Sequence, residues 1–373
     1  MPHVTVLILH PGVRPGDGPL ARSLAAARAE LGRRHELGFR AVGADEVRLV
    51  TGAPDDTTFG RRLRDLVSDL HRTGVVVLGS GSLALARGPD RRALVDVAAS
   101  GERRALANNR FSADAVAVGR GDLLAGIPDL RADNALPRWL AGRPDMTVDD
   151  LGRRWRLAID LDSPLDVALV ARAEPSAGWA RQAIADLPIA EAAGRLDAVR
   201  RVTTDPRAEL LVAGRSSSRT LAWLERRTAS RTRFLVEERG LRASEPIGGG
   251  DPGAHQRPPR SILGMQLDAA GPEALGSIVA GLADAALVDL RVLLAHRFGA
   301  DEAAWPGPED RFAADLLLAE RVSDPWLRAL TRSAATAPVP IVLGGHTLVG
   351  PGARLLVGRS SGAAGATRVT APA

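Results

Sequence analysis

The chain has 373 residues, 45% of them hydrophobic, 25% charged and 3% aromatic, with 49 basic side chains against 44 acidic ones. It contains no Lys, Cys or Tyr, so each of the 49 is Arg, and Schiff-base amines, a Walker lysine, thiol nucleophiles, thiolate metal sites and disulfides are excluded. A net charge of +5 is too modest to mark a nucleic-acid surface, and with few aromatic residues there is little to stack on single-stranded bases. No stretch of 18 apolar residues occurs, and the opening MPHVTVLILHPG has no basic n-region, so the expectation is a cytoplasmic protein with no membrane segment.

Val4 to Leu9 is a β-branched apolar run ended by His10-Pro11-Gly12, which predicts a buried strand and then a loop. Pro19 to Val42 carries helical spacing. Val47 to Val50 predicts a strand, Phe59 to Leu70 a helix, and Gly74 to Leu78 a strand that runs into Gly79-Ser80-Gly81-Ser82. Arg91 to Ala99 predicts a helix, Arg104 to Val118 a strand, loop and strand, and Leu157 to Ile159 a strand entering DLDSPLD, with a helix from Leu165.

After Pro188 the pattern restarts. Leu210 to Ala213 and Arg233 to Glu237 read as strands around a helix over Ser218 to Thr228. Pro246 to Pro259 is a Gly- and Pro-rich loop. Strand Ser261 to Leu267, helix Pro272 to Ala286, strand Val288 to Ala295, helices from Ala313 to Ala337 and strand Pro340 to Leu343 follow. The expectation is an α/β chain with a mostly parallel sheet flanked by helices, GT-A or Rossmann-like, plus a second α/β domain. The predicted division is 1–175, a connector over 176–207, a second unit over 208–357 and a frayed tail over 358–373. Ligands are expected beyond the carboxyl ends of the strands.

The most specific motif is Asp160-Leu161-Asp162-Ser163-Pro164-Leu165-Asp166. Ser163 before Pro164 suits an N-cap with Pro at N1, and Asp166 then completes a capping box. Capping does not account for Asp160 and Asp162, which at i and i+2 can meet one divalent cation. A second signal is Asn. Only three occur, Asn108, Asn109 and Asn134, all within 27 residues and accompanied by Arg110 and Asp133. Amide, carboxylate and guanidinium groups suit a base edge or an anionic substrate, and they equally suit turns and caps. Gly79, Ser80, Gly81 and Ser82 follow a buried strand and offer backbone amides to an anion. Gly214-Arg215-Ser216-Ser217 repeats that layout, and serine capping is the default for both. His10, His296 and His346 are each placed at a strand end. No H-E-x-x-H pattern supports a zinc hydrolase.

AIDLDSPLDVALV resembles the DIDTPEDL segment that closes the catalytic domain of GT-A-like nucleotidyltransferases, the group of the molybdenum cofactor guanylyltransferases and 2-phospho-lactate guanylyltransferases. The order of elements over residues 1 to about 172 is similar too, from HPGVRPGDGPLAR through GVVVLGSGSLAL to RRALANNRFSADAVAV. The resemblance implies a Mg²⁺-dependent enzyme. An acceptor phosphate would attack the α-phosphorus of an NTP such as GTP, and pyrophosphate would leave. It implies Asp162 as metal ligand with Asp160 beside it, and Gly12, Arg14, Asp17, Gly18 and Arg22 near the nucleotide. The family's central-strand Asp is replaced here by Gly79-Ser80-Gly81-Ser82, and the opening loop has no lysine, so Arg14 or Arg22 must stand in for it.

The resulting expectation is a nucleotidyltransferase with catalytic residues Asp162, Arg14 and Arg22. Its partners are a nucleotide and a small phosphorylated metabolite, with no nucleic acid and no membrane, and a homo-oligomer is compatible with the chain. Two alternatives are a non-catalytic nucleotide- or phosphometabolite-binding protein of the same fold, and a GT-A glycosyltransferase using Asp160-Leu161-Asp162 as its D-x-D.

Overall fold

Short apolar strands alternating with helices build two separate sheets. The computed structural model describes residues 3–52, 55, 57–70, 73–174, 177–238 and 257–357. The first sheet contains β1 (His3–Pro11), β2 (Glu46–Gly52), β3 (Thr73–Gly79), β4 (Arg104–Ala107), β5 (Ala115–Val118) and β6 (Thr147–Asp150), in the order β2-β1-β3-β5-β4-β6. It is mixed: β5 runs antiparallel to both its neighbours, and the other pairings are parallel. The second sheet is parallel throughout, with β7 (Glu209–Gly214), β8 (Arg231–Val236), β9 (Ala285–Asp289) and β10 (Ile341–Gly344) in the order β10-β9-β7-β8.

The helices are α1 (Pro19–Arg40), α2 (Phe59–Val67), α3 (Gly88–Ala98), α4 (Leu136–Ala141), α5 (Pro164–Ala173), α6 (Gly178–Ala183), α7 (Ala190–Val202) and α8 (Ser218–Arg227). They continue with α9 (Ile262–Ala270), α10 (Leu275–Ala280), α11 (Leu290–Phe298), α12 (Pro308–Asp315), α13 (Pro325–Thr336), α14 (His346–Val349) and α15 (Gly352–Val357). Among the described residues no helix is long and apolar enough to cross a membrane.

The α/β class and the flanking helices match the expectation, but several elements differ. Leu157–Ile159 is no strand, because a 3-10 turn occupies Trp155–Ala158. Ser261–Leu267 is a helix: the Ser261 hydroxyl caps it by accepting from the Gly264 amide, and Leu263 and Leu267, four apart, share the buried face. Val288–Ala295 is likewise not a strand. β9 stops at Asp289, whose carboxylate caps α11, and that helix is buried on nearly every side, so its sequence carries no 3.6-residue period. The long helix expected over Pro272–Ala286 is a 3-10 turn and α10, ending before β9. Residues 246–256 of the expected Gly/Pro loop, and the tail from 358, lie outside the described residues.

In each sheet the chain leaves one strand to opposite sides, from β1 to β2 and β3, and from β7 to β8 and β9. This reversal opens a crevice at the carboxyl ends, the usual ligand position of a parallel α/β sheet. One hydrophobic core contains Leu20, Leu24 and Leu31 of α1, Leu165 and Leu169 of α5, and Leu210, Leu287 and Leu343 of the second sheet. At roughly 1.5–3 kcal/mol per fully buried aliphatic side chain, this shared core holds the two crevices against each other.

Candidate functional site

The carboxyl ends of both sheets face one cleft of about 800 Å³. The first half supplies Pro11 at the end of β1 and Gly12 after it, Arg14 and Asp17 from the following loop, Arg28 from α1, Asn108, Asn109, Phe111 and Asp114 between β4 and β5, and Asp160 and Asp162. The second half supplies Arg215 after β7, Arg291 after β9, Arg311 of α12, and Gly345, His346 and Thr347 after β10.

Asp160 and Asp162 hang on the strap that joins the halves. Arg28 holds this strap through Nε to the Leu161 carbonyl at 2.7 Å and Nη2 to Asp162 Oδ1 at 3.3 Å, and Thr347 Oγ1 donates to the Asp160 carbonyl at 3.1 Å. Burial raises the proton affinity of the Asp160 carboxyl well above its ordinary value. The charges of Asp162 and Asp114 raise it further, and Arg28 only partly offsets them. The capping reading of the next residues is realised: Ser163 Oγ accepts from the Asp166 amide at 3.4 Å, and Asp166 Oδ2 accepts from the Ser163 amide at 2.8 Å. Burial, then the charges of Asp162 and Asp315, push the Asp166 carboxyl up to about 8.

Beneath the second-half wall lie two buried ion pairs. Arg215 reaches across its sheet's switch point to Asp289, with Nε to Oδ2 at 2.7 Å and Nη2 to Oδ1 at 3.2 Å. Gly214, at φ +125°, makes the turn that brings the Arg215 amide to the same carboxylate, and a Cβ there would collide with the Asp289 side chain. Burial pushes the Asp289 carboxyl up, but the Arg215 guanidinium overrides this and holds it below the usual carboxylate range. Arg291 grips Asp315 bidentately at 2.5 and 2.6 Å.

Of the residues expected from the sequence, Gly12, Arg14, Asp17, Asn108, Asn109, Asn134, Asp160 and Asp162 line the cleft, and Gly18, Arg22, Gly79–Ser82, Arg110 and Asp133 do not. Gly18 caps α1, whose first free amides, those of Leu20 and Ala21, donate to Glu309 Oε1 and Oε2 at 3.1 Å each. A carboxylate of the chain itself thus occupies the positive end of the 22-residue helix. The Arg22 guanidinium bonds the Asp17 carbonyl. Ser80 and Ser82 are buried: Ser80 Oγ meets His10 Nδ1 at 2.9 Å, Ser82 Oγ donates to the Gly79 carbonyl at 2.8 Å, and the Leu161 amide closes on the Gly81 carbonyl. His10 is held below its ordinary pKa by burial and then by the Arg28 and Arg33 charges, so it is neutral at pH 7. Arg110 lies over the Phe111 ring, and Asp133 accepts from the Asn134 amide.

Asn108 is fully engaged within the protein. Its Nδ2 donates to Asp114 Oδ2 and the Leu157 carbonyl, each at 3.0 Å, and its Oδ1 accepts from the Asp114 and Ala115 amides. Asn109 Oδ1 accepts from the Phe111 amide in an Asx turn, and Asn134 Oδ1 accepts from Ser112 Oγ. His346 lines the cleft as the first residue of α14, whereas His296 sits on α11 with Nε2 3.0 Å from Asp268. Arg28, Asp114, Arg291, Glu302 and Arg311 were not legible as cleft residues. Arg28 is one Arg among many on a long amphipathic helix, and Arg291 and Arg311 lie on helices that only the second sheet's placement turns inward.

No protein-family model matches the sequence, and no curated protein matches it. Fold and cleft therefore define the molecule: a two-sheet α/β protein whose two switch-point crevices share one charged cavity.

Proposed function

We propose that the cleft is a nucleotide site serving nucleotidyl transfer to a small phosphorylated acceptor. The observation that carries this reading is the meeting of the Asp160-Leu161-Asp162 strap with Arg14, Arg28, Arg215 and Arg291 in one cavity of about 800 Å³ at the carboxyl ends of both sheets. That volume lies in the range of ordinary ligand pockets and has room for a nucleotide and a second small substrate.

Mg²⁺ fits the donors as a two-carboxylate site. Burial, and then the charges of Asp162 and Asp114, disfavour the Asp160 carboxylate, a cost that a divalent cation would offset, and Mg²⁺ ordinarily takes one or two carboxylates with substrate phosphates completing its shell. Asp160 and Asp162 would hold it. Among the described residues no three His, Asp or Glu side chains converge as ligands, so substrate oxygens must complete the coordination. When bound, the cation supplies charge neutralisation on the NTP phosphates.

The protein's own part is positioning. Arg14, exposed on the opening loop, offers its fork to phosphate oxygens, and Arg28 fixes the strap so that both carboxylates face the cavity. The acceptor phosphate is already ionised near neutral pH, so its oxygen bonds the α-phosphorus as the bond to the pyrophosphate oxygen breaks, and no general base is needed.

A second reading, nucleotide or phosphometabolite binding without catalysis, is favoured by the Arg28–Asp162 ion pair and by Glu309 on the α1 amides, which use groups that phosphate or metal would otherwise take. Thermal-shift measurements with NTPs and nucleotide sugars, each with and without Mg²⁺, separate the readings. Nucleotidyl transfer predicts stabilisation by NTP that needs Mg²⁺ and is lost in Asp162→Ala. Metal-independent stabilisation supports the binding protein, greater protection by nucleotide sugars supports a glycosyltransferase, and no stabilisation by any of them rejects the nucleotide site.

A further inference from the structure

A second cavity, of about 380 Å³, lies between α1, α3 and α5 and shares no lining residue with the cleft. Its walls hold Arg34, Arg87, Arg91 and Arg156 against a single acid, Glu174. Other arginines of the first half, such as Arg33, Arg40 and Arg104, pair with Glu30, Glu36 and Asp149. Among the described residues no carboxylate ion-pairs with Arg34, Arg87 or Arg91. Arg156 has Nη2 3.4 Å from Asp90, and the Nε atoms of both Arg91 and Arg156 are buried with no hydrogen-bond partner.

Arg91 is held in place without being neutralised. His35, fully buried, donates from Nε2 to the Ser82 carbonyl at 2.8 Å and turns Nδ1 toward Arg91 Nη2 at 3.5 Å. Burial, and then the Arg91 charge, push His35 down to about 3, so the ring is neutral and acts as an acceptor. Burial works against the Arg91 cation, the Asp90 charge partly offsets this, and the Arg34 charge adds to the burden. Four guanidinium groups lining one concavity with a single carboxylate make a site that an anion completes. Leu31, Val170 and Trp179 line the same cavity, so the rest of such a ligand meets an apolar wall.

We propose that this cavity binds a small soluble phosphomonoester, its phosphate on Arg34, Arg91 and Arg156 and its apolar remainder against Leu31 and Trp179. The test is isothermal titration of the full chain in chelator-containing buffer, with n-butyl phosphate and inorganic phosphate as probes; the metal dependence expected of the cleft keeps the two sites apart. Butyl phosphate should bind more tightly than phosphate and more weakly as salt rises. Arg91→Gln and Arg34→Gln should each weaken it at least about tenfold, the loss of one charge-assisted hydrogen bond. Arg28→Gln in the cleft should leave it unchanged. Arg34 is exposed, so its variant keeps the fold and decides the matter if Arg91→Gln does not fold. The proposal is overturned by no binding, by wild-type affinity in Arg34→Gln, by loss in Arg28→Gln, or by binding seen only with phosphatidate vesicles.

Discussion

Gly18 offers a sharp test of how the two halves are joined. Its φ of −75° and ψ of 178° are open to any residue, so backbone freedom does not explain glycine there. Space does: a Cβ at position 18 would sit 2.5 and 2.6 Å from the two Glu309 carboxylate oxygens, where an ordinary contact needs roughly 1 Å more. Gly18→Ala must therefore lift the carboxylate off the Leu20 and Ala21 amides. Each of those bonds is charge-assisted, and they lie at the positive end of a long helix. In a half-buried position, where water replaces part of what is lost, the pair is worth about 2 kcal/mol. Glu309→Ala removes the same bonds and should cost about the same. The double variant should also cost about 2 kcal/mol rather than the additive ~4 kcal/mol, because the alanine methyl then meets no carboxylate. Urea unfolding followed by tryptophan fluorescence measures all three. Additive losses, or a neutral Gly18→Ala, would refute the assignment of Gly18 to Glu309 and return it to a ligand-contacting role.

Two further outcomes follow from the buried charges. The Asp166 carboxyl, up at about 8 in the folded chain against 3.8 when unfolded, binds its proton more tightly in the native state. Its stabilising effect is complete below pH 4 and lost as pH climbs through 8, with a slope of up to about 1.4 kcal/mol per pH unit in between. Asp166→Asn should flatten that part of the stability profile, and an unchanged slope from pH 5 to 8 would count against it. Arg291→Met strands the Asp315 carboxylate in the core and should cost about 3–5 kcal/mol, whereas Arg291→Met with Asp315→Leu should recover most of the loss. Equal destabilisation of the single and double variants in urea would exclude a charge-stranding origin.

Some of the molecule is written locally. The run Val4–Leu9, the GVVVL strand and the long α1 follow from side-chain period and from turn residues that sit beside them in the chain. Ser163, Pro164 and Asp166 form a cap whose partners lie within three residues, so spacing alone reveals it. Other elements were illegible because their signal is shared or absent. α11 is apolar on nearly every face, and a helix buried on all sides reads as a strand. β6, Thr147–Val148–Asp149–Asp150, is a polar edge strand without alternation, and it exists because β4 offers it hydrogen bonds. The scarcity of Asn did mark a structured place, the turn between β4 and β5 and its neighbour Asn134. What the count could not say is that Asn108 would spend every hydrogen-bonding position inside the fold.

The sequence by itself determined the α/β class, the capped start of α5, and a chemistry without thiol, amine or phenol, left to carboxylate, carboxamide, guanidinium, hydroxyl, imidazole and backbone amide, since composition and short-range spacing survive any rearrangement of distant parts. Only the tertiary structure decided that two sheets turn their carboxyl ends to one cleft, that Arg215, Arg291 and His346 stand opposite Asp160 and Asp162, and that the α1 amides meet Glu309 289 and 288 residues further along the chain. Those choices rest on one hydrophobic core in which α1 packs on α5 and α12, and these in turn on the second sheet. Hydrophobic burial depends on area rather than on chemical identity, so no local pattern names its partner.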